Sequence, residues 1–245
     1  MRYGVFSDVH GNYGALRVVL AKLAELKVDS YLCCGDLVGY GPQPDECVKE
    51  VAALPSLKCV IGNHDMAVLG RIPIEWFNST AGEAIKFTQR ILSPESRGFL
   101  AVCPRMIELK DITLVHGSPR NPVEEYLLTG EQFLENTDRW KTSVCFVGHS
   151  HVPLYMSRAG ARFPLVIPLS AGDKIQLAAG ARYIFNPGSV GQPRDRDSRA
   201  SLAVFDSEKL VFELFRLEYP VAATQELMRR ARLPELLIER IGNGW

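Results

Sequence analysis

The chain has 245 residues, enough for one large domain or two small ones with a proper core. Apolar residues make up 47% and charged residues 23%, and the formal net charge is zero, so no global field steers the protein toward nucleic acid or an anionic membrane. The six cysteines form no CxxC pair and sit mostly in apolar runs such as Tyr31-Leu32-Cys33-Cys34, which predicts reduced buried thiols and neither disulfides nor a zinc knuckle.

Met1 leads straight into a first strand, and no apolar run approaches membrane-spanning length; no signal peptide, no membrane partner and a cytoplasmic location are expected. Tyr3 to Ser7 reads as that strand and breaks into Asp8-Val9-His10-Gly11-Asn12. Leu16, Val19, Leu20 and Leu23 then recur at helical spacing. Tyr31 to Cys34 is a second strand closed by Gly35-Asp36, and the breaker-rich Gly39-Tyr40-Gly41-Pro42 reads as a tight turn. A helix from about Pro44 to Ala53, with proline in its first turn, leads to a third strand, Lys58 to Ile61, which breaks into Gly62-Asn63-His64-Asp65.

From Met66 to Cys103 the pattern is mainly helical, an insertion packed on the sheet, with Ser93-Pro94-Glu95-Ser96 as a capped helix start. Met106–Leu109 and Ile112–Val115 flank a turn at Lys110-Asp111, and the second of these strands ends in His116-Gly117. A short helix from about Glu131 to Asp138 precedes Val144 to Val147, which breaks into Gly148-His149-Ser150-His151. The second half holds short strands between turns, including Tyr183–Phe185, Leu202–Phe205 and Leu210–Leu214, expected to be antiparallel. A helical tail begins near Val221, with Glu226 and Arg230 spaced to pair. The order predicts an α/β fold: a sandwich of two sheets with outer helices, one domain over 1–245 with a helical insertion at about 66–103.

The residues that end apolar strands are Asp8, His10, Asp36, Asn63, His64, His116, His149 and His151, and all five histidines of the chain are among them. Satisfied core or surface histidines would scatter. Alternate residues of an extended segment project to one side, so Asp8 and His10 can converge on a point. Mixed imidazole, carboxylate and amide donors suit manganese, iron or zinc better than calcium or magnesium, and the absence of thiolates argues against a closed structural zinc site. The set is large enough for two ions, and a carboxylate such as Asp36 can bridge them.

Taken together these motifs resemble those of calcineurin-like metallophosphoesterases across positions 8 to 151. The resemblance implies a four-layer αββα fold and two divalent metal ions as cofactors. Asp8, His10, Asp36 and His151 would hold one metal; Asp36, Asn63, His116 and His149 would hold the other. The phosphoprotein-phosphatase branch continues its Gly-Asp with Asp-Arg-Gly and follows its Asn-His with Glu. Here Gly35-Asp36-Leu37-Val38-Gly39 and Asp65 stand instead. The chain is more similar to the small cytosolic prokaryotic-type branch of phosphodiesterases, nucleotide phosphatases and dinucleoside-polyphosphate hydrolases.

The implied reaction is hydrolysis of phosphate esters, in which a hydroxide bridging metals roughly 3.5–4 Å apart attacks phosphorus in line. His64 is expected to act as general acid, with Asp65 orienting its ring; a helix N-terminal carboxylate is the other reading of Asp65. Asn12, Arg120 and Arg194 are the candidate substrate contacts, weighed against turn chemistry for Asn12, a solvated loop position for Arg120 and pairing within Arg194-Asp195-Arg196-Asp197 for Arg194. The expected partner is a small phosphate ester or nucleotide. A nuclease reading would need a basic groove with interleaved aromatics, which the sequence lacks. A non-catalytic scaffold would be expected to have lost ligands, and none is missing. Leu233, Leu236, Leu237 and Ile241 leave a homo-oligomer open, since they can pack internally or against a second copy.

Overall fold

The computed structural model describes residues 1–245. Its elements run β1 (Arg2–Phe6), α1 (Tyr13–Glu25), β2 (Ser30–Cys33), α2 (Pro44–Ala52), β3 (Leu57–Cys59), α3 (Asn63–Val68), a 3₁₀ turn (Ile74–Trp76), α4 (Ser79–Ile91) and α5 (Pro94–Val102). Then come β4 (Met106–Glu108), β5 (Ile112–Val115), α6 (Gly130–Asn136), β6 (Val144–Phe146), β7 (Leu154–Arg158), β8 (Leu165–Pro168), β9 (Lys174–Gln176) and β10 (Arg182–Asn186). The chain closes with β11 (Ala200–Asp206), β12 (Val211–Leu217), α7 (Val221–Arg230) and α8 (Glu235–Asn243).

Two six-stranded mixed sheets result, in orders β3-β2-β1-β11-β12-β9 and β4-β5-β6-β10-β7-β8. Period-two alternation assigns each strand's side chains to two buried layers. Val5, Leu32 and Phe205 point into the space between the sheets, where they meet Val144, Phe146 and Phe185 of the second sheet. Phe6, Cys33 and Val204 point the other way, onto Leu16 and Leu20 of α1 and Val48 of α2. On the far side Cys145 and Ile184 face Phe133 of α6 and Trp140. Helices, sheet, sheet and helix are therefore stacked around aromatic contacts such as Phe185 on Phe212, whose centroids are 4.2 Å apart.

Two expectations need correction. The strands of the second half are not all antiparallel, because β10 pairs parallel with β6 and antiparallel with β7. A strand buried on both faces is apolar throughout, so its sequence carries no signal of direction. The run Arg194-Asp195-Arg196-Asp197 does not pair within itself either. Arg216, which β12 buries, draws in both Asp195 and Asp197, and Asp197 also holds Arg199. In the tail, Leu233, Leu237 and Ile241 pack internally against Met228 and Tyr40, leaving Leu236 exposed; Glu226 and Arg230 pair at 2.9 Å.

The first sheet places β1, β2 and β3 side by side and parallel; the second does the same for β5, β6 and β10. Their carboxyl ends emerge on the same side, the position where α/β sheets hold ligands. Replacing fully buried Phe146 by Ala is expected to cost about 3–5 kcal/mol, read as a lower urea midpoint with an unchanged m-value.

Candidate metal centre

The carboxyl ends of these strands deliver all seven sequence-predicted ligands to one place. Asp8 and His10 follow β1, Asp36 follows β2, and Asn63 opens α3 just past β3. His116 follows β5, and His149 and His151 follow β6. Three local groupings put candidate ligand atoms within 4.8 Å of one another: Asp8 with His10 and His151, His10 with Asp36 and His64, and Asp8 with Asp36 and His116.

The backbone adopts costly conformations to do this. Asp8, His10, Asp36, His149 and His151 all have φ between 50° and 66°, the left-handed region that L-residues seldom occupy. Interlocking loops hold them there. Asp8 N donates to Gly35 O, His10 N to Asp36 O and Gly11 N to Leu37 O, joining the ends of β1 and β2. The Asn186-Pro187-Gly188-Ser189 turn supplies the other side: Ser189 Oγ and Gly191 N both donate to Asp8 O. At Gly62 a Cβ would overlap Asp36 Oδ1, so the loop after β3 can approach only without a side chain.

Each ligand histidine spends one ring nitrogen on a main-chain carbonyl. His10 Nδ1 meets Val38 O at 3.0 Å, His116 Nδ1 meets Cys34 O at 2.8 Å, His151 Nδ1 meets Gln192 O at 2.6 Å, and His149 Nε2 meets Glu124 O at 3.1 Å. A carbonyl can only accept, so each of these nitrogens carries the proton and the opposite nitrogen presents a bare lone pair. Burial pushes all four imidazoles below their ordinary range, His116 to about 3, so they are neutral near pH 7.

Two of these bare nitrogens then face each other, His10 Nε2 and His151 Nε2 at 3.1 Å, with no proton between them. His116 Nε2 likewise faces Asn63 Oδ1 at 3.0 Å. Acceptor against acceptor is repulsive unless a cation lies nearby, and the donor chemistry fits a borderline divalent ion at both places. Asp36 lies between them. His64 N fixes its Oδ1 at 2.9 Å, while Oδ2 is 3.6 Å from His10 Nε2 and 3.4 Å from His116 Nε2. Burial, and then the neighbouring carboxylates, raise Asp36 well above the ordinary carboxyl range; burial lifts Asp8 to about 7.

The remaining candidates divide. His64 lines the cavity above Asp36, packed against His10, Tyr40 and Phe77, and its ring nitrogens make no hydrogen bond. Asp65 does not orient that ring, which corrects the expectation. Its oxygens accept from the backbone N–H groups of Gly62, Asp36 and Val38, because a carboxylate in a helix's first turn is drawn to unpaired amides. Asp65 therefore ties the β2 and β3 loops together.

Asn12 is buried and fully occupied: its Oδ1 caps α1 through Ala15 N, and its Nδ2 donates to Gly191 O and Tyr219 OH. Arg120 pairs with Glu125 and Glu135 outside the cavity, its side chain 41% exposed. Neither has the free, cavity-facing group that a phosphate contact needs. Arg194 does reach the cavity, held by Tyr40 OH at 3.3 Å and Gln192 Oε1 at 3.2 Å with no carboxylate partner. Sequence reasoning missed Tyr40, Gln192 and the aromatic wall of Trp76, Phe77 and Tyr126, since a lone aromatic or glutamine in a turn carries no distinctive pattern.

A family model described as the calcineurin-like phosphoesterase superfamily domain matches residues 1–210. The crystal structure of a metallophosphoesterase from Sphaerobacter thermophilus is 40% identical to this chain, with a TM-score of 0.88 over 100% of this chain and 99% of that one. An uncharacterized protein of Methanocaldococcus jannaschii is 37% identical over 245 residues, 98% of this chain and 97% of the relative. A shorter stretch, 41% identical over 68 residues, matches the symmetrical bis(5′-nucleosyl)-tetraphosphatase of Proteus mirabilis, covering 27% of this chain and 25% of that enzyme.

These pKa shifts predict a pH optimum for the stability of metal-stripped protein. Between about pH 4 and 6.5 the unfolded chain protonates five histidines that the fold keeps neutral, while three buried carboxyls, Asp8, Asp36 and Asp65, hold protons only when folded. The histidines outnumber the carboxyls, so stability rises with pH. Above 6.5 the unfolded histidines lose their protons while the folded chain still holds protons on Asp36 and part of Asp8, with the raised Met1 amine adding near pH 8, so stability falls as pH passes about 7. Urea melts from pH 5 to 9 should show a maximum near 6.5, and added manganese should remove most of the alkaline decline. A stripped protein that keeps gaining stability to pH 9 would contradict this.

Proposed function

Since the chain belongs to the calcineurin-like phosphoesterase superfamily, and is thus a phosphoester hydrolase, we propose that it hydrolyses small phosphate mono- or diesters, nucleotides among them, with two divalent metal ions. Manganese, iron and zinc are the metals proposed, and the six unpaired thiols support a cytoplasmic location. Asp8, His10, Asp36 and His151 would hold one ion, and Asp36, Asn63, His116 and His149 the other, His149 through the Nδ1 that its bond to Glu124 leaves free. The observation carrying this reading is the pair of acceptor-to-acceptor approaches on either side of Asp36 Oδ2. When bound, such ions neutralise phosphoryl charge and lower the pKa of water.

The chain's own residues do the rest. Asp36 lies at the cavity beside His64 and Arg194, and Tyr40 and Gln192 hold the Arg194 guanidinium where it can donate to a phosphoryl oxygen. As the water oxygen bonds to phosphorus and gives up a proton to solvent, the bond to the leaving oxygen breaks, and protonated His64 donates its proton to that oxygen. Burial and then the Arg194 charge push His64 well below its ordinary range, so the free protein holds it neutral. An anionic phosphoryl group in the cavity supplies the field that returns its proton. The partial likeness to a tetraphosphatase supports testing anhydrides beside esters.

The test is a panel of phosphomonoesters, phosphodiesters and dinucleoside polyphosphates, with each metal added back to stripped protein; no turnover on any of them would favour a binding scaffold. His64→Ala is expected to retain its metals and lose roughly 10²–10⁴ in turnover. The loss should shrink on nitrophenyl esters, whose leaving oxygen needs little protonation. Equal losses on good and poor leaving groups would rule out the acid role.

A further inference from the structure

The cavity above the candidate metal centre has a volume of about 300 Å³. Its polar lining is the floor already described. The apolar lining comes from the helical insertion and the loop before α6, through Ile72, Trp76, Phe77 and Tyr126, with Asn78 next to Phe77 in the sequence. Trp76 is 68% exposed and Tyr126 43% exposed, so two of the largest apolar rings in the chain face water at the mouth of one cavity. A single exposed aromatic is unremarkable, but two lining the same polar-floored pocket mark surface reserved for a ligand. Tyr126 is also fixed in plane, stacked on His149 with centroids 4.0 Å apart and 19° between the rings. That orientation is set before anything binds.

Charge and size narrow the occupant. Arg194 is the sole guanidinium or ammonium lining the cavity, and Glu124 lines it too. A chain of several phosphates would bring more negative charge than one guanidinium can meet beyond the metal floor. The volume stands at the low end of small-molecule sites, which run from roughly 300 to 1,000 Å³. Asn78 caps α4 through Oδ1 and leaves its Nδ2 as a donor at the aromatic wall, suited to the acceptor atoms on a heterocycle's edge.

We infer that the wall of Trp76 and Tyr126 is a nucleobase subsite, and that the preferred substrate is the phosphate ester of a single nucleoside and not a dinucleoside polyphosphate. This rests on the hydrolase reading, in that the phosphoryl group must lie at the metal floor while the base lies on the aromatic wall.

The test compares kcat/KM of the manganese-loaded full chain on AMP, phenyl phosphate, ribose 5-phosphate and diadenosine tetraphosphate, with AMP binding followed separately by tryptophan fluorescence. AMP should exceed the other three. Trp76→Ala should lower the ratio of AMP to ribose 5-phosphate by roughly 5- to 150-fold, as expected for a lost base stack, and Trp76→Phe should keep most of it. AMP should quench the fluorescence of the wild type, and Trp76→Phe should remove that quench, since the other two tryptophans, buried Trp140 and the C-terminal Trp245, lie outside the cavity. Because Trp76 is mostly exposed, neither variant threatens the fold.

A ratio near one, or one indifferent to Trp76→Ala, overturns the subsite and leaves the hydrolase reading standing. Phenyl phosphate equal to AMP overturns the nucleoside assignment, and diadenosine tetraphosphate above AMP overturns the limit to one nucleoside. Quenching through Trp76 without turnover of any ester supports the subsite while the hydrolase reading fails.

Discussion

The protonation of four imidazoles is decided by main-chain carbonyls, and the rest of the site depends on that constraint. Val38, Cys34, Gln192 and Glu124 each offer an oxygen that can only accept. Each histidine therefore turns a bare lone pair toward its neighbours. Packing such lone pairs 3.1 Å apart in a buried space is unfavourable for the protein alone, and it becomes favourable once positive charge is supplied. The raised carboxyls of Asp8 and Asp36 express the same deficit of positive charge.

Holding that arrangement requires a scaffold stiff enough to bear its cost. Five candidate ligands occupy left-handed backbone conformations, and Asp65 and the turn from Asn186 to Gln192 clamp their loops by hydrogen bonds. Two sheets contribute, each through parallel strands whose carboxyl ends open on the same side, and the aromatic layer around Phe146, Phe185 and Phe212 fixes one sheet against the other. The second sheet thus supplies His116, His149 and His151, and it is placed by a core remote from the chemistry. The substrate side is built differently: the cavity's aromatic wall comes from the helical insertion and the loop before α6, outside both sheets.

Much of this was legible in the sequence because both strands and ligands leave local marks. Alternating or continuous apolar runs ending in Asp-x-His, Gly-Asp, Asn-His and His-x-His locate the strand ends, and all seven ligand candidates do converge. The two-sheet sandwich is also as expected. What stayed hidden was every relation set by non-local partners. Asp65 reads as a partner of its neighbour His64, but three backbone amides of the loops after β2 and β3 claim its oxygens. Arg120 and Asn12 read as free polar groups, but Glu125 and Glu135 occupy the first, and the Ala15 amide, Gly191 O and Tyr219 OH the second.

Residue type and local spacing thus determined which side chains can bind metal, where strands stop and the α/β class. Periodicity and donor chemistry are properties of the chain itself. Strand direction in the second sheet, the tautomer of each histidine, the release of Arg194 from its acidic neighbours and the presence of Trp76 and Tyr126 on one cavity were decided only in three dimensions. Each depends on which distant group arrives within hydrogen-bonding or packing distance, and no stretch of sequence encodes that alone.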